Sequence, residues 1–278
     1  MNPPIPGALV DTHAHLDDQR LRADLPAILD RAAALGVGQI IAIGTTAASS
    51  SGALELATAY PGVFATVGIH PNDAAEIGQD DWPSILAMIT RPRVVAVGET
   101  GLDRYWKDTP FALQQEWFDR HLALALEHDL PIVIHCRDCQ SDMRQQLTQL
   151  GRPIRGVMHS FTGSWDDAEA YLALGLHLSF AGMITFANKA LDPLREAAAR
   201  TPLEKILVET DSPYLTPAPF RGKMNEPSRV ALTAAKLAEI RGVSAAALAE
   251  TTTRNARTLF RLGDADLLPA ARPVNPAS

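Results

Sequence analysis

"ALVDTHAHLD", residues 8–17, decides the fold. An apolar run ends in Asp11, His13 and His15, spaced at every second position. Alternate side chains of a β-strand share a face, so three polar groups project together from one strand end. A hydrogen-bonded turn or a metal site would each explain that spacing. Directly after it, "RADLPAILDRAAALG" (22–36) has helical periodicity and stops at a Gly.

The same unit of strand, polar end and helix recurs along the chain. Strands are expected at "ALVDTH" (8–13), "QIIAIGT" (39–45), "VFATVGIH" (63–70), "RVVAVGET" (93–100), "PIVIHC" (131–136), "RGVMHSF" (155–161), "LHLSFAG" (176–182) and "KILVETD" (205–211). Amphipathic stretches fill the gaps, among them residues 110–130 and 164–175, the second opening on Ser164 as an N-cap. Eight buried-looking strands alternating with helices predict a parallel sheet. At this length a closed (β/α)₈ barrel, a TIM-type α/β single domain, fits better than an open sheet. No Gly-x-Gly-x-x-Gly follows a strand, which disfavours a dinucleotide fold. Residues 228–242 and 244–262 are expected to be terminal helices, giving a barrel domain over 1–263 and a loose tail over 264–278.

The chain has 278 residues, 46% of them hydrophobic, a formal charge of −7 and a pI near 5.6. No apolar run approaches the roughly 20 residues of a membrane helix. The start, "MNPPIPG", lacks the features of a secretory signal, so a cytoplasmic protein with no membrane contact is expected. A binder of bulk duplex DNA would carry a basic face. Two bound divalent cations would bring −7 to −3 and concentrate positive charge in one cleft. The two cysteines, Cys136 and Cys139, make no disulfide framework. They form "CRDC", yet no thioredoxin pattern surrounds it.

The polar strand ends converge in such a barrel. His13 and His15 end the first strand, Glu99 the fourth, His135 the fifth, His159 the sixth and Asp211 the eighth. All would meet at the C-terminal mouth, where barrel enzymes gather their catalytic groups. One buried His is usually a hydrogen-bonded core residue, and one carboxylate after a strand is often an N-cap. Six together at matching strand ends point to metal. Six ligands suit two divalent ions better than one, because a zinc usually takes four ligands. One carboxylate must then bridge, and Glu99 is the candidate. Ligands of this mixture suit Mg, Mn, Zn or Co, and nothing selects among them. His121 and His128 lie in a helix, and His177 begins the seventh strand at the wrong end. His70, in "GIHP", ends the third strand and is expected to contact substrate.

"DTHAHLD", "GIHP", "GETGLD", "HCRD", "MHSFTG", "LVETDSPYLTP", "RGKMNEP" and "TRNARTLF" together resemble the TatD family of metal-dependent hydrolases, in the amidohydrolase superfamily. The resemblance runs from Val10 to Phe260. It implies a (β/α)₈ barrel with metal-dependent DNase activity, with several members trimming single strands from the 3′ end. It also implies one metal on His13, His15, Glu99 and Asp211 and another on Glu99, His135 and His159. The chain departs from many relatives in having Arg104 after "GLD", before Tyr105 and Trp106.

Asp211 is expected both to ligate and to take the proton of the attacking water. Glu209 and Asp11, each two positions from a ligand, either support the ligands or are structural. Arg137 either forks onto a phosphate or pairs with an Asp. Arg104 is a candidate phosphate contact, and Arg221 with Lys223 either line the substrate groove or are solvated loop charges. Trp106 and Phe161 are the favoured aromatics for stacking on bases, ahead of Tyr105 and Trp165.

The expected activity is a two-metal phosphodiesterase trimming single-stranded DNA, acting as a monomer. A metal-dependent amidohydrolase or deacylase on a small molecule or an aminoacyl-tRNA is the alternative, since the fold does not fix the substrate. A scaffold that had lost catalysis would have broken ligands, and all six are present.

Overall fold

The computed structural model describes residues 9–269. Ala8 and residues 270–278 therefore lie outside the described residues. Eight strands follow the expected order: β1 Leu9–Ala14, β2 Val37–Ala42, β3 Val63–Val67, β4 Val94–Asp103, β5 Ile132–Arg137, β6 Gly156–Met158, β7 His177–Phe180 and β8 Ile206–Val208. Each pairs in parallel with the next. The first and last strands meet through a parallel bridge between Ala14 and Ser212. The Thr12 hydroxyl donates to the Val208 carbonyl at 3.0 Å across the same seam. The architecture is the (β/α)₈ barrel that the alternating pattern predicts.

Helices α1 Gln19–Arg22 and α2 Leu25–Ala34 follow β1. One helix was expected over 22–36. Pro26 has no N–H to give to a preceding turn and suits a helix start, so a new helix begins beside it. The remaining helices are α3 Ala47–Ala59, α4 Asp81–Met88, α5 Phe111–Glu127, α6 Gln140–Gln149, α7 Trp165–Ala173, α8 Asp192–Arg200, α9 Val230–Arg241 and α10 Ala245–Phe260. Ser164 caps α7: its hydroxyl accepts from the Asp167 N–H, and Asp167 accepts from the Ser164 N–H at 3.0 Å. Such a box is worth about 1 kcal/mol. Gly242, at φ 65°, ends α9 in the left-handed conformation that glycine adopts freely.

The core has two layers. The outer one lies between sheet and helices, from Leu21 and Ile28 to Phe118, Tyr171 and Leu237. The inner one fills the barrel near the strand starts, with Val10, Ile41, Phe64, Val133, Val157 and Leu207. Leu259 and Phe260 at the end of α10 join this inner layer and close the floor. The mouth at the opposite end is left for polar groups.

The tail expected from residue 264 is bound to this floor as far as it is described. Leu268 is buried and its N–H donates to the Gly38 carbonyl at 2.7 Å. Gln39 donates to the carbonyls of Gly263 and Asp266 at 2.8 and 2.9 Å. A buried leucine and two carbonyl acceptors are enough to hold a segment that composition alone marks as having little to bury. Among the described residues no helix is long and apolar enough to cross a membrane.

Candidate metal centre

The strand ends gather six side chains at the mouth. His13 lies in β1 where the register against β2 slips, between Asp11 and Ala14, and His15 follows that strand. Glu99 lies within β4, which continues to Asp103 instead of stopping at Thr100. Gly101 permits this. At φ 144° it occupies a region that L side chains avoid, and a Cβ there would come within 2.1 Å of the His135 carbonyl oxygen. The two strands therefore press together, with Gly101 beside His135 and Asp103 beside Arg137. His159 follows β6 directly. Asp211 stands beyond β8 at φ 56°, a left-handed position that aspartate tolerates better than most residues. Its N–H donates to the His13 carbonyl at 2.9 Å, so the first and last strand ends are tied at these two residues themselves.

Two donor clusters result. In one, His13 Nε2 lies 3.3 Å from His15 Nε2, 3.3 Å from Glu99 Oε2 and 3.7 Å from Asp211 Oδ1. His15 Nε2 is 3.3 Å from Asp211 Oδ1 and 3.9 Å from Glu99 Oε2. In the other, Glu99 Oε1 lies 3.1 Å from His135 Nδ1 and 2.9 Å from His159 Nε2, which are 3.3 Å apart. Tetrahedral donors each roughly 2.1 Å from one centre stand about 3.4 Å apart. The spacing of both clusters matches that figure. Glu99 sends one carboxylate oxygen to each.

Further carboxylates orient the rings. Asp103 Oδ2 lies 3.0 Å from His135 Nε2, and Glu209 Oε1 lies 3.2 Å from His159 Nδ1. Glu209 also accepts from the Ser160 N–H at 2.7 Å. A carboxylate on the far nitrogen holds the proton there and leaves the near lone pair for a cation. Asp11 meets no ring among the described residues. It accepts from the Thr210 N–H and hydroxyl, at 2.9 and 2.6 Å, and fastens β1 to the segment that carries Asp211. His70 joins the cluster, with Nε2 at 3.4 Å from Glu99 Oε1 and Nδ1 accepting from the Asn72 N–H at 3.2 Å.

Charge is the distinctive feature of the site. Glu99, Asp103, Glu209 and Asp211 lie together, the first three buried, and among the described residues only imidazoles pair with them. Burying carboxylates without cations is costly. In the free chain, protons on histidine fill part of that role. Burial pushes the Glu99 carboxyl up, but the charges of His159, His70 and His13 outweigh it and hold it well below its usual range. Burial pulls His159 down, but Glu99 and Glu209 hold it well above the usual imidazole range. Asp211 is likewise held low by His15, His13 and His159 against its burial. Burial pushes Asp11 up to about 8 despite its bonds from Thr210, which removes one charge from the site. Groups of His13, His15 and Glu99, of His70, Glu99 and His135, and of His13, His159 and Glu209 are each close enough to hold a metal ion. A donor set of imidazoles and carboxylates with this deficit of positive charge fits divalent cations.

Other expected site residues divide. Phe161 is a correction: it is 4% exposed and packs edge-on against Tyr171 and Phe180, so it is core and offers no face to a base. Arg104 is tied to Asp142, its Nη2 2.6 Å from Oδ1, and stacks on Phe111. Arg137 has no carboxylate partner among the described residues, and its guanidinium lies 3.7 Å from the centre of the exposed Tyr105 ring. Trp106 is exposed beside Tyr105. Arg221 stacks on Phe186 in a cleft of about 510 Å³ that Arg20 and Lys223 also line. Trp165 carries Arg200 over its ring, the guanidinium carbon 4.2 Å from its centre. Cys136 and Cys139 are free thiols 3.6 Å apart. His121 is structural, its Nε2 accepting from the Ile69 N–H at 3.0 Å.

Asp103 was not among the expected residues. Positions 99, 101 and 103 alternate along one strand face, a signal that holds only because β4 continues past Thr100. Tyr214, edge-on to His15 with Arg20 over its ring, was likewise unforeseen.

A family model described as TatD related DNase matches residues 10–261. The uncharacterized metal-dependent hydrolase YabD of Bacillus subtilis is 40% identical over 255 residues, covering 91% of this chain and 99% of that protein. The 3′–5′ ssDNA/RNA exonuclease TatD of Edwardsiella piscicida is 35% identical, covering 91% and 100%. Among solved structures, the TatD homolog YjjV of Escherichia coli K12 superimposes with a TM-score of 0.86 at 35% identity, covering 92% and 99%.

Proposed function

The chain belongs to the TatD related DNase family, and on that premise we propose that it is a two-metal phosphodiesterase that trims single-stranded DNA from the 3′ end. The observation that carries this reading is the division of the Glu99 carboxylate, with Oε2 toward His13 and Oε1 toward His159. His13, His15, Glu99 and Asp211 would hold one divalent ion, and Glu99, His135 and His159 the other. Bound there, such ions act as Lewis acids on a phosphoryl group and on the attacking and leaving oxygens.

The chain's own groups supply the rest. Asp211 is 13% exposed at its side chain and Glu99 only 3%, so Asp211 is the carboxylate that incoming water reaches. Held ionised by its histidine neighbours, it accepts the proton of the attacking water. Arg137 offers guanidinium N–H groups to phosphate while Tyr105 keeps its plane in place. Tyr105, Trp106, Tyr214, Phe220 and Met224 are large exposed side chains on loops around the mouth. Rings of this kind stack on unpaired bases without regard to sequence, which favours a single strand. Arg20, Arg221 and Lys223 line the adjoining cleft and suit its backbone. All of these groups come from one chain, which supports a monomer, and a cytoplasmic setting goes with this substrate. The name of the Edwardsiella relative supports the same class and direction.

The test is cleavage of a 5′-labelled single-stranded oligonucleotide with Mg or Mn, with EDTA and Asp211→Asn as controls. A product ladder that needs both metal and Asp211 is expected. Intact DNA from protein verified to be metal-loaded would overturn the reading in favour of an amide or aminoacyl-ester substrate.

A further inference from the structure

Three imidazoles crowd one oxygen. His70 Nε2, His135 Nδ1 and His159 Nε2 lie 3.4, 3.1 and 2.9 Å from Glu99 Oε1. By distance alone each is a ligand for the same ion, and His70, Glu99 and His135 form one of the groups able to hold it. What each ring touches on its other side separates them. A neutral imidazole has one N–H and one lone pair, so an acceptor at one nitrogen leaves a lone pair at the other, and a donor at one leaves an N–H at the other. His135 meets the Asp103 carboxylate at 3.0 Å and His159 meets the Glu209 carboxylate at 3.2 Å. Once neutral, as ligating rings must be, both therefore turn lone pairs toward Glu99. His70 Nδ1 instead accepts a backbone N–H, from Asn72 at 3.2 Å. Its lone pair is used there, and the nitrogen facing the mouth carries the proton.

That donor is built in. Asn72 is fixed by its amide on Asp103 Oδ2 at 3.3 Å and by the Thr109 hydroxyl on its carbonyl at 2.8 Å. The His70 N–H donates to the Thr45 carbonyl at 2.8 Å. The turn therefore presents a backbone donor to Nδ1 whatever fills the mouth.

We infer that His70 is no metal ligand but a hydrogen-bond donor, which delivers Nε2–H to a non-bridging phosphoryl oxygen of the substrate. Its side chain is 13% exposed, so the N–H that meets Glu99 in the free protein is open to an incoming group. The donor role rests on the phosphodiesterase reading above, whereas the exclusion as a ligand does not. A fixed donor aimed at developing charge is worth a factor of about 100 in rate.

Four measurements test it. ¹⁵N NMR of histidine-labelled, metal-loaded protein should give the Nε2–H form for His70. Elemental analysis should find the same metal content in His70→Asn and His70→Ala as in the unaltered chain, with a lower content in His135→Ala. Cleavage should fall about 100-fold in both His70 variants with KM little changed. The unaltered protein should discriminate between the two phosphorothioate diastereomers more strongly than His70→Ala does. A proton on Nδ1, or metal lost from both His70 variants as from His135→Ala, would overturn the assignment. Full cleavage by His70→Ala would overturn the donor role. Absence of any cleavage by the metal-loaded unaltered chain would overturn the phosphodiesterase reading and the donor role together, while the NMR and metal results would still decide the ligand question.

Discussion

Glu99 meets His159 at 2.9 Å through Oε1, while its Oε2 faces His13 at 3.3 Å from the opposite cluster. One buried carboxylate thus belongs to both halves of the centre. Shortening it removes a donor from each. Glu99→Ala should lower bound metal below two ions per chain and reduce cleavage at least 100-fold. Elemental analysis with a parallel oligonucleotide assay checks both numbers, and a variant that keeps two ions and full rate refutes the bridge.

Metal loading should release protons. His159 is held well above the usual imidazole range, and His15 and His135 are also raised, each by carboxylates that outweigh burial. Ligating nitrogens must be deprotonated, so cations compete with protons there. Apparent metal affinity should rise with pH through and above the ordinary range of histidine. Calorimetric titration in two buffers of different ionisation enthalpy measures the proton count, and equal heats in both would contradict it.

Asp103 holds the His135 ring from the side away from Glu99. It accepts from His135 Nε2 at 3.0 Å and from the Tyr105 and Trp106 N–H groups at 2.7 and 3.0 Å. Asp103→Ala should weaken metal binding 10- to 100-fold. It should also raise KM for oligonucleotides, because it frees the loop bearing both rings. Metal affinity and KM changing together distinguishes it from Trp106→Ala, which should raise KM alone.

Stability should fall in mild acid for a reason away from the metals. His121 is fully buried, and that burial lowers its pKa from 6.5 to about 4. Between those values the unfolded chain binds the proton and the folded one does not. Stability contributed by neutral His121 is therefore complete above pH 6.5 and declines as pH falls to about 4, by about 3 kcal/mol. Urea unfolding of metal-free protein at several pH values measures the slope, which His121→Gln should flatten.

Phe161 and Arg137 make a paired contrast. Phe161→Ala removes a core ring and should cost about 3–5 kcal/mol of stability with KM unchanged. Arg137→Ala should leave stability within about 0.5 kcal/mol and weaken oligonucleotide binding, with a shallower salt dependence. Thermal melts and filter binding on both variants decide it.

These residues also mark how far the sequence could be read. The barrel was legible because each strand is a short apolar run closed by a polar residue, and His13, Glu99, His135, His159 and Asp211 are those closings. Phe161 looked equally well placed after His159. The chain turns at Ser160, in the left-handed region at φ 42°, and carries Phe161 into the packing of α7 and β7. Arg104 is expected from the sequence to meet a phosphate, but Asp142 neutralises it from 38 positions away, a pairing that no local pattern reveals. Asp103 required β4 to run past Glu99, which depends on Gly101 lying against the His135 carbonyl. Local periodicity carries elements and their ends. Turn direction and long-range pairing belong to the assembled chain.

The seam between the first and last strands sets an order of events during synthesis. Glu99, His135 and His159 lie in consecutive parts of the chain and can assemble as soon as β4 to β6 have emerged. His13 and His15 wait about 200 residues for Asp211, and the floor waits longer still, for Leu259 and Phe260 of α10. A ribosome-bound chain therefore has the residues of one donor cluster early and the rest of the other only near release. A premature stop before α10 leaves all six candidate ligands on a barrel that lacks Leu259 and Phe260, and such a product should be open to proteolysis.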